Sequence, residues 1–104
     1  TEQGKKQQDV RVKGNVLITF SLAGRTFTYM HVPAYQCEGS GQVVVAITVN
    51  RNGKVTSANI KSSSSQEDCL TDRAIEAARL SRFNLDASAP ASQSGTITYL
   101  FQRQ

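Results

Sequence analysis

The sequence is poor in the residues that usually carry chemistry. It has one histidine, His31, and two cysteines, Cys37 and Cys69. Two cysteines are too few for a structural zinc site, and their spacing is not that of a C-x-x-C redox motif. His31 has no second histidine or neighbouring aspartate, and no phosphate-binding loop or EF-hand spacing is present. These absences argue against an enzyme and against a bound metal or cofactor.

The sequence also lacks a long apolar run. No stretch approaches the ~18 consecutive apolar residues that a helix needs to cross a bilayer. The chain does not begin with methionine and shows no secretory signal. We therefore expect one domain of a longer protein, with any targeting segment upstream.

Basic residues outnumber acidic ones by 12 to 8, which gives a net charge of +4. Four of the basic residues precede the first expected strand, at Lys5, Lys6, Arg11 and Lys13. No aromatic side chains are interleaved with them, so the cluster is more typical of a solvated tail than of a nucleic-acid-binding surface. We expect residues 1–14 to be the end of a linker, and we expect no nucleic-acid partner.

A β-hairpin is the clearest element of the sequence. Valine and isoleucine recur at every second position from Val43 to Val49, which is the period of a strand. Asn52-Gly53 then predicts a tight turn, because both residues tolerate the positive φ that the turn demands. A second strand follows over residues 54–61. The first strand is largely apolar on both faces, which indicates a central strand.

The segment before this hairpin predicts two more strands. Residues 16–22 and 26–32 are rich in β-branched and aromatic residues, and residues 23–25 separate them as a short turn. Pro33 ends the second run because it lacks a backbone donor. We expect these two strands to pair as an N-terminal hairpin over residues 15–32.

The segment after the central hairpin predicts one helix and one strand. Apolar and small residues recur at spacings of three and four over residues 67–83, as in an amphipathic helix. We expect Asp68 or a preceding serine to cap it. Residues 95–102 alternate as a last strand, with Ile97, Tyr99 and Phe101 on one face.

These elements predict an α+β fold. We expect a two-layer sandwich in which the helix covers one face of a mixed or antiparallel three-stranded sheet, with the strand order 54–61, 42–50, 95–102. In this interpretation residues 15–104 form one domain. It consists of the N-terminal hairpin and a β-β-α-β core over residues 41–104.

The two cysteines are either bonded to each other or are two buried thiols. A disulfide between Cys37 and Cys69 would close a loop of about 33 residues and contribute roughly 3–4 kcal/mol. That contribution is large beside the stability of a small domain. We favour the disulfide, which implies an oxidising compartment.

From Pro33 onward, several short motifs follow one another in an order that is more specific than any of them alone. They are Pro33-Ala34-Tyr35, the alternating run from Gly41 to Val49, Asn52-Gly53-Lys54-Val55, the serines at 62–65, Leu70 with Ala74, Ala77 and Ala78, Ser81-Arg82-Phe83-Asn84, and the run from Gly95 to Phe101. In this order they resemble the C-terminal domain of TonB, the energy transducer of Gram-negative bacteria. The paired cysteines, the Asn-Gly turn and the Gly-Thr-Ile-Thr-Tyr ending are similar to versions from the Bacteroides group.

The resemblance implies a periplasmic domain, tethered by a spacer to an inner-membrane helix that works with a proton-driven motor complex. It implies that the domain captures the Ton box, a short segment near the N-terminus of an outer-membrane transporter, by strand addition beside its last strand. Pulling on the captured segment would then drive uptake. The matching residues here are Thr96, Ile97, Thr98, Tyr99, Leu100, Phe101 and Gln102. An N-terminal hairpin paired beside this strand would block the docking edge.

Two other functions stay open on the sequence alone. An open strand edge also favours pairing with a second copy of the chain, which would give a homodimer. A TolA-like adaptor with another periplasmic partner would have the same fold, because fold does not fix the partner.

Overall fold

The described residues fold into two β-sheets and one helix. The computed structural model describes residues 8–13, 15–65 and 67–102. The elements in chain order are β1 (Gln8–Lys13), β2 (Val16–Ser21), β3 (Phe27–Tyr29), β4 (Gly41–Val49), β5 (Val55–Ser63), α1 (Asp68–Leu80), β6 (Arg82–Phe83) and β7 (Gln93–Phe101). The large sheet has the order β1-β2-β7-β4-β5, and β3 pairs with β6 in a small second sheet. Every neighbouring pair is antiparallel.

The β4–β5 hairpin confirms the clearest sequence prediction. Val43, Val45, Ile47 and Val49 are at most 2% exposed, and the residues between them are half-buried on the opposite face. Gly53 has φ +90°, and its N–H donates to the Asn50 carbonyl at 3.0 Å to close the turn. The alternation therefore places one row of β4 side chains in the core.

The helix packs its small residues against the sheet. Leu70, Ala74, Ala77 and Ala78 are fully buried, and α1 contacts β4, β5 and β7. Alanine side chains are short, so the helix axis can approach the strands closely. The predicted cap is wrong: Glu67 occupies the N-cap position and makes no side-chain capping hydrogen bond.

The predicted α+β class is confirmed, but the large sheet has five strands rather than three. The expected order 54–61, 42–50, 95–102 recurs as β5-β4-β7, and β2 and β1 extend the sheet beyond β7. Within the expected linker, residues 8–13 form strand β1. An edge strand is held mainly by backbone hydrogen bonds, so it needs little apolar sequence. The rest of that expected linker, residues 1–7 and 14, lies outside the described residues.

The predicted N-terminal hairpin is also wrong. β2 pairs with β1 and β7, whereas β3 pairs with β6. The ring of Phe27 stacks on Phe83 at 4.6 Å and meets Phe20 edge-on at 4.8 Å. These contacts place β3 over the face of the sheet, where it covers the core, instead of beside β2.

Candidate partner-binding edges of the sheet

The strand that the resemblance implies as the docking strand lies in the middle of the sheet. β7 pairs with β2 from Thr96 to Phe101, and it pairs with β4 along its whole length. Gln102 follows β7, and its N–H donates to the Asn15 carbonyl at 2.8 Å. Both edges of residues 96–101 are therefore paired within one chain.

The side chains of β7 alternate between the two faces of the sheet. Ile97, Tyr99 and Phe101 are at most 1% exposed and belong to the core beneath α1. Thr96, Thr98 and Leu100 are half-buried on the opposite face. The predicted alternation of the last strand is confirmed.

β2, which occupies the expected docking position, is part of the core. Val16, Ile18 and Phe20 in β2, and Leu22 directly after it, are at most 2% exposed. Exposing a buried side chain of this kind costs about 1.5–3 kcal/mol, so exposing all four would cost roughly 6–12 kcal/mol. This approaches the whole free energy of unfolding of a small domain, roughly 5–15 kcal/mol. A peptide that replaced β2 would have to recover most of that energy.

Two strands of the large sheet have a single neighbour within the described residues. They are β1, paired with β2, and β5, paired with β4. An unpaired edge presents a row of N–H and C=O groups that an added strand can satisfy. The outer edges of β1 and β5 are therefore the two candidate docking edges, and they lie on opposite sides of the sheet.

The edge of β5 is interrupted. Its pairing with β4 shifts register twice, between Val44 and Val45 and between Thr48 and Val49, which leaves one extra β5 residue at each place. At the start of β5, Lys54 bridges to Arg82, and the N–H of Phe83 donates to the Gly53 carbonyl at 2.8 Å. Bulges, lysines and covering segments are the features that hinder strand addition.

The edge of β1 is regular by comparison. β1 pairs with β2 over six consecutive residues, from Gln8 opposite Ser21 to Lys13 opposite Val16, without a register shift. An added strand requires such an uninterrupted ladder. Sequence reasoning missed this edge, although Val10 and Val12 alternate with charged residues, which is a short strand pattern.

Tyr99 places a polar atom in the core. Its phenol oxygen is buried and has no hydrogen-bond partner within the described part of the chain. Burial raises the pKa of the Tyr99 phenol far above its ordinary value of 10.0, and the nearby Ser81 hydroxyl opposes this rise. The Ser81 hydroxyl itself donates to the Ala77 carbonyl at 2.9 Å and accepts the N–H of His31 at 3.0 Å. The one hydroxyl proton of Ser81 is donated to Ala77, so Ser81 does not donate to the phenol, which stays without a hydrogen-bond partner among the described residues.

Arg25 is a buried cation that sequence reasoning placed in a simple turn. Its guanidinium is 0% exposed and donates to the carbonyls of Asn84 at 2.7 and 3.1 Å and of Asn50 at 3.0 Å. It also donates to the side-chain oxygen of Gln93 at 2.9 Å, and Gln93 in turn donates to the Ala23 carbonyl. The described acceptors are all neutral. Arg25 therefore joins four chain segments at one end of the sheet through hydrogen bonds rather than an ion pair.

The disulfide prediction is confirmed. Cys37 and Cys69 are bonded, with their Cα atoms 5.8 Å apart, and they join the segment before β4 to the first turn of α1. In the same segment, the ring of Tyr35 meets Phe101 edge-on at 5.2 Å. Glu67 lies beside the two sulfur atoms, but bonded cysteines are not thiolate ligands, so this cluster is not a metal site.

The His31 ring contacts the side chain of Tyr29, two residues before it. Its Nδ1 lies 3.0 Å from the Tyr29 hydroxyl. This contact is exposed and involves no carboxylate, so it lacks the third group that orients a catalytic histidine. The prediction that His31 is a surface residue of a strand region rather than a catalyst stays a prediction.

Comparison with models of protein families matches residues 34–102 to the family described as Gram-negative bacterial TonB protein C-terminal. The chain belongs to this family. The match spans β4 to β7 and α1, and it begins after β1, β2 and β3. Curated proteins and solved structures give no significant match.

Membership of the TonB C-terminal family establishes the general role. It makes the chain a TonB-like periplasmic domain of a Gram-negative bacterium, from a non-enzymatic, transport-associated family whose members interact with outer-membrane transporters. Within the described residues, the longest helix is α1 with 13 residues, and none has the length and apolar character to cross a bilayer.

Proposed function

We propose that this domain belongs to a TonB-like energy transducer, binds the Ton box of outer-membrane transporters by β-strand addition, and transmits force that drives active uptake. An upstream inner-membrane helix coupled to a motor complex would supply that force. The observation that carries the proposal is a family match to the TonB C-terminal domain, combined with a strand, β1, that pairs regularly on one side only within the described residues.

Strand addition suits the chemistry of the described residues. They hold no nucleophile with an oriented base, and the two cysteines are bonded to each other. An added strand is bound mainly through backbone hydrogen bonds, so it requires little more than an accessible edge. The disulfide and the Arg25 network would help the domain to keep its fold while it is pulled, because each joins segments that are distant in sequence.

The resemblance implies that the Ton box binds beside residues 96–102. In the folded domain this position is taken by β2, so a peptide there would have to replace it. The assignment of residues 96–102 as the binding site therefore stays a prediction. Whether the peptide binds is tested separately from where it binds.

Isothermal titration of the domain with synthetic Ton-box peptides of transporters from the same genome tests the proposal. We expect saturable binding with one peptide per domain and a negative heat-capacity change from the apolar surface that becomes buried. A scrambled peptide of the same composition is the control. Light scattering over a range of protein concentrations shows whether a second copy of the chain takes the edge instead. No binding at millimolar peptide, by a domain that scatters as a monomer, would contradict the proposal.

A further inference from the structure

We propose that the partner docks on the outer edge of β1, two strands away from the strand that the family resemblance implies. This inference rests on the proposed function and names the edge that performs it. The occupant is an extended, net-acidic segment of an outer-membrane transporter, which would become a sixth strand of the large sheet.

β1 and β2 lie outside the part of the chain that matches the family. The family match begins at residue 34, so both strands lie outside it, and both are added on the β7 side of the sheet. They cover the edge that a β4–β7 core alone would leave open. Because Val16, Ile18 and Phe20 of β2 are core residues, β2 is not a removable cover.

β5, at the opposite side of the sheet, is a poorer docking edge. The usable part of β5 lies between its two register shifts and is only the short run from Ser57 to Ile60. The start of β5 is further covered by the bridge from Lys54 to Arg82. β1 offers a longer ladder without a shift.

The direction of the β1 hydrogen-bonding groups follows from one observed bond. The Asn15 carbonyl accepts from Gln102, so Asn15 points towards β7. Backbone groups alternate in direction along a strand. Leu17 and Thr19 therefore also point towards β7, and Val16, Ile18 and Phe20 point towards β1.

The same alternation continues into β1. The partners of Val16, Ile18 and Phe20 are Lys13, Arg11 and Asp9, so the backbone groups of these three β1 residues are engaged with β2. The N–H and C=O groups of Val12, Val10 and Gln8 then face away from the sheet. Six backbone groups are thus directed to the open edge, at the spacing that a strand requires.

The charge of this end of the chain favours an acidic occupant. Within β1, the two basic residues Arg11 and Lys13 outnumber the one acidic residue, Asp9. A basic segment raises the rate of encounter with an acidic peptide, and this effect weakens as salt is added.

Proline substitutions test the edge, because proline removes an N–H and is tolerated where that N–H faces outward. The double substitution Val10→Pro and Val12→Pro removes two outward donors and leaves the bonds of β1 to β2 in place. The matched control is Ile60→Pro on the opposite edge. The Gln42 carbonyl accepts from Ser64, so by alternation Ala46 also points towards β5 and engages its partner Asn59, which leaves the N–H of Ile60 facing outward. Thermal unfolding of each variant establishes that it is folded.

A second variant tests the alternative position beside β7. Thr19 and Thr98 lie opposite each other in β2 and β7, and both are half-buried on the face away from α1. Directly opposed residues are within reach of a disulfide. The pair Thr19→Cys and Thr98→Cys would fix β2 on β7 and prevent its replacement.

Titration of these variants with a synthetic net-acidic Ton-box peptide gives distinct outcomes. We expect the double proline variant to bind roughly tenfold more weakly or not at all, and Ile60→Pro and the oxidised cysteine pair to bind like the unmodified domain.

Wild-type affinity in a folded double proline variant would overturn docking on the β1 edge and leave the proposed function standing. Loss of binding in the cysteine pair, restored by reduction, would do the same and favour β7. Absence of binding by the unmodified domain would overturn the proposed function and this inference together.

Discussion

Arg25 joins four chain segments where they meet at the ends of the strands. It is fully buried, and its three donating nitrogens bond to Asn50, Asn84 and Gln93. Hydrogen bonds from a charged donor contribute more than neutral ones, and acceptors left unsatisfied in the core are costly. Lysine cannot replace this fork, because it lacks the fixed planar arrangement of donors.

We predict that Arg25→Ala lowers the free energy of unfolding by about 3–5 kcal/mol and that Arg25→Lys lowers it by about 1–3 kcal/mol. Arg51→Ala is the matched control, because Arg51 is exposed and its side chain makes one described hydrogen bond, to the Ala89 carbonyl. Its effect should stay below about 1 kcal/mol. Urea denaturation measures all three. Equal effects of the two alanine substitutions would show that the Arg25 network does not stabilise the fold.

Tyr99 differs from Arg25, because its buried polar atom has no hydrogen-bond partner among the described residues and lowers the stability of the fold. Its hydroxyl has no partner within the described residues, so Tyr99→Phe should raise the free energy of unfolding by about 1 kcal/mol. A buried phenol also makes stability depend on alkaline pH. The unfolded chain ionises this group near pH 10, and burial keeps it neutral in the folded domain.

The sign follows from proton release on unfolding. Because the folded pKa is raised, ionisation of Tyr99 in the unfolded chain lowers the free energy of unfolding as the pH rises above about 10, by about 1.4 kcal/mol at pH 11. The stabilisation in Tyr99→Phe should therefore grow between about pH 9 and pH 11. Urea denaturation at both values checks this difference. A gain that is equal at the two pH values would contradict a buried neutral phenol.

At the scale of elements, the turn of the β4–β5 hairpin is fixed by its contact with β6. Gly53 has φ +90°, and a Cβ atom there would overlap the Phe83 carbonyl. Gly24 also has a positive φ, +73°, but a Cβ there would meet nothing within 4 Å. An alanine at Gly24 would therefore add backbone strain alone, whereas an alanine at Gly53 would add steric overlap as well.

We predict that Gly24→Ala costs about 1–2 kcal/mol, the cost of a left-handed residue alone. Gly53→Ala should cost at least about 2 kcal/mol more, because the turn must also move away from β6. Chemical denaturation of both variants measures the difference. Similar costs would mean that β6 does not hold the turn.

The elements also show what the sequence could predict. Alternation in β4, the Asn52-Gly53 turn and the small face of α1 are local patterns, and the structure has them where they were expected. β6 has two residues, Arg82 and Phe83, which pair with β3 on one side and contact Gly53 and Lys54 on the other. No local pattern could assign it, and without it the partner of β3 could not be predicted.

The candidate docking site was harder to predict for the same reason. Which edge is free depends on the order of all five strands, and that order depends on β1. Val10 and Val12 are too few to distinguish a strand from a charged linker. Arg25 likewise follows an ordinary turn in the sequence, and its burial results from four segments that meet only in the folded chain.

At the scale of the whole molecule, the domain is a TonB C-terminal fold with its sheet extended by two strands. The extension moves the regular open edge from β7 to β1. β1 is also the first described element of the chain, so a pull that arrives from the N-terminal side would reach the docking strand before the core.

Amide hydrogen exchange, followed residue by residue in NMR spectra with and without the Ton-box peptide, tests the docking edge most directly. In the free domain, the amides of Val10 and Val12 should exchange fast, whereas those of Asp9 and Arg11 should be protected by β2. We predict that the peptide protects the amides of Val10 and Val12. The amides of Leu17 and Thr19, which point towards β7, should stay as protected as before. Unchanged exchange at Val10 and Val12, together with loss of protection at Leu17 and Thr19, would contradict it.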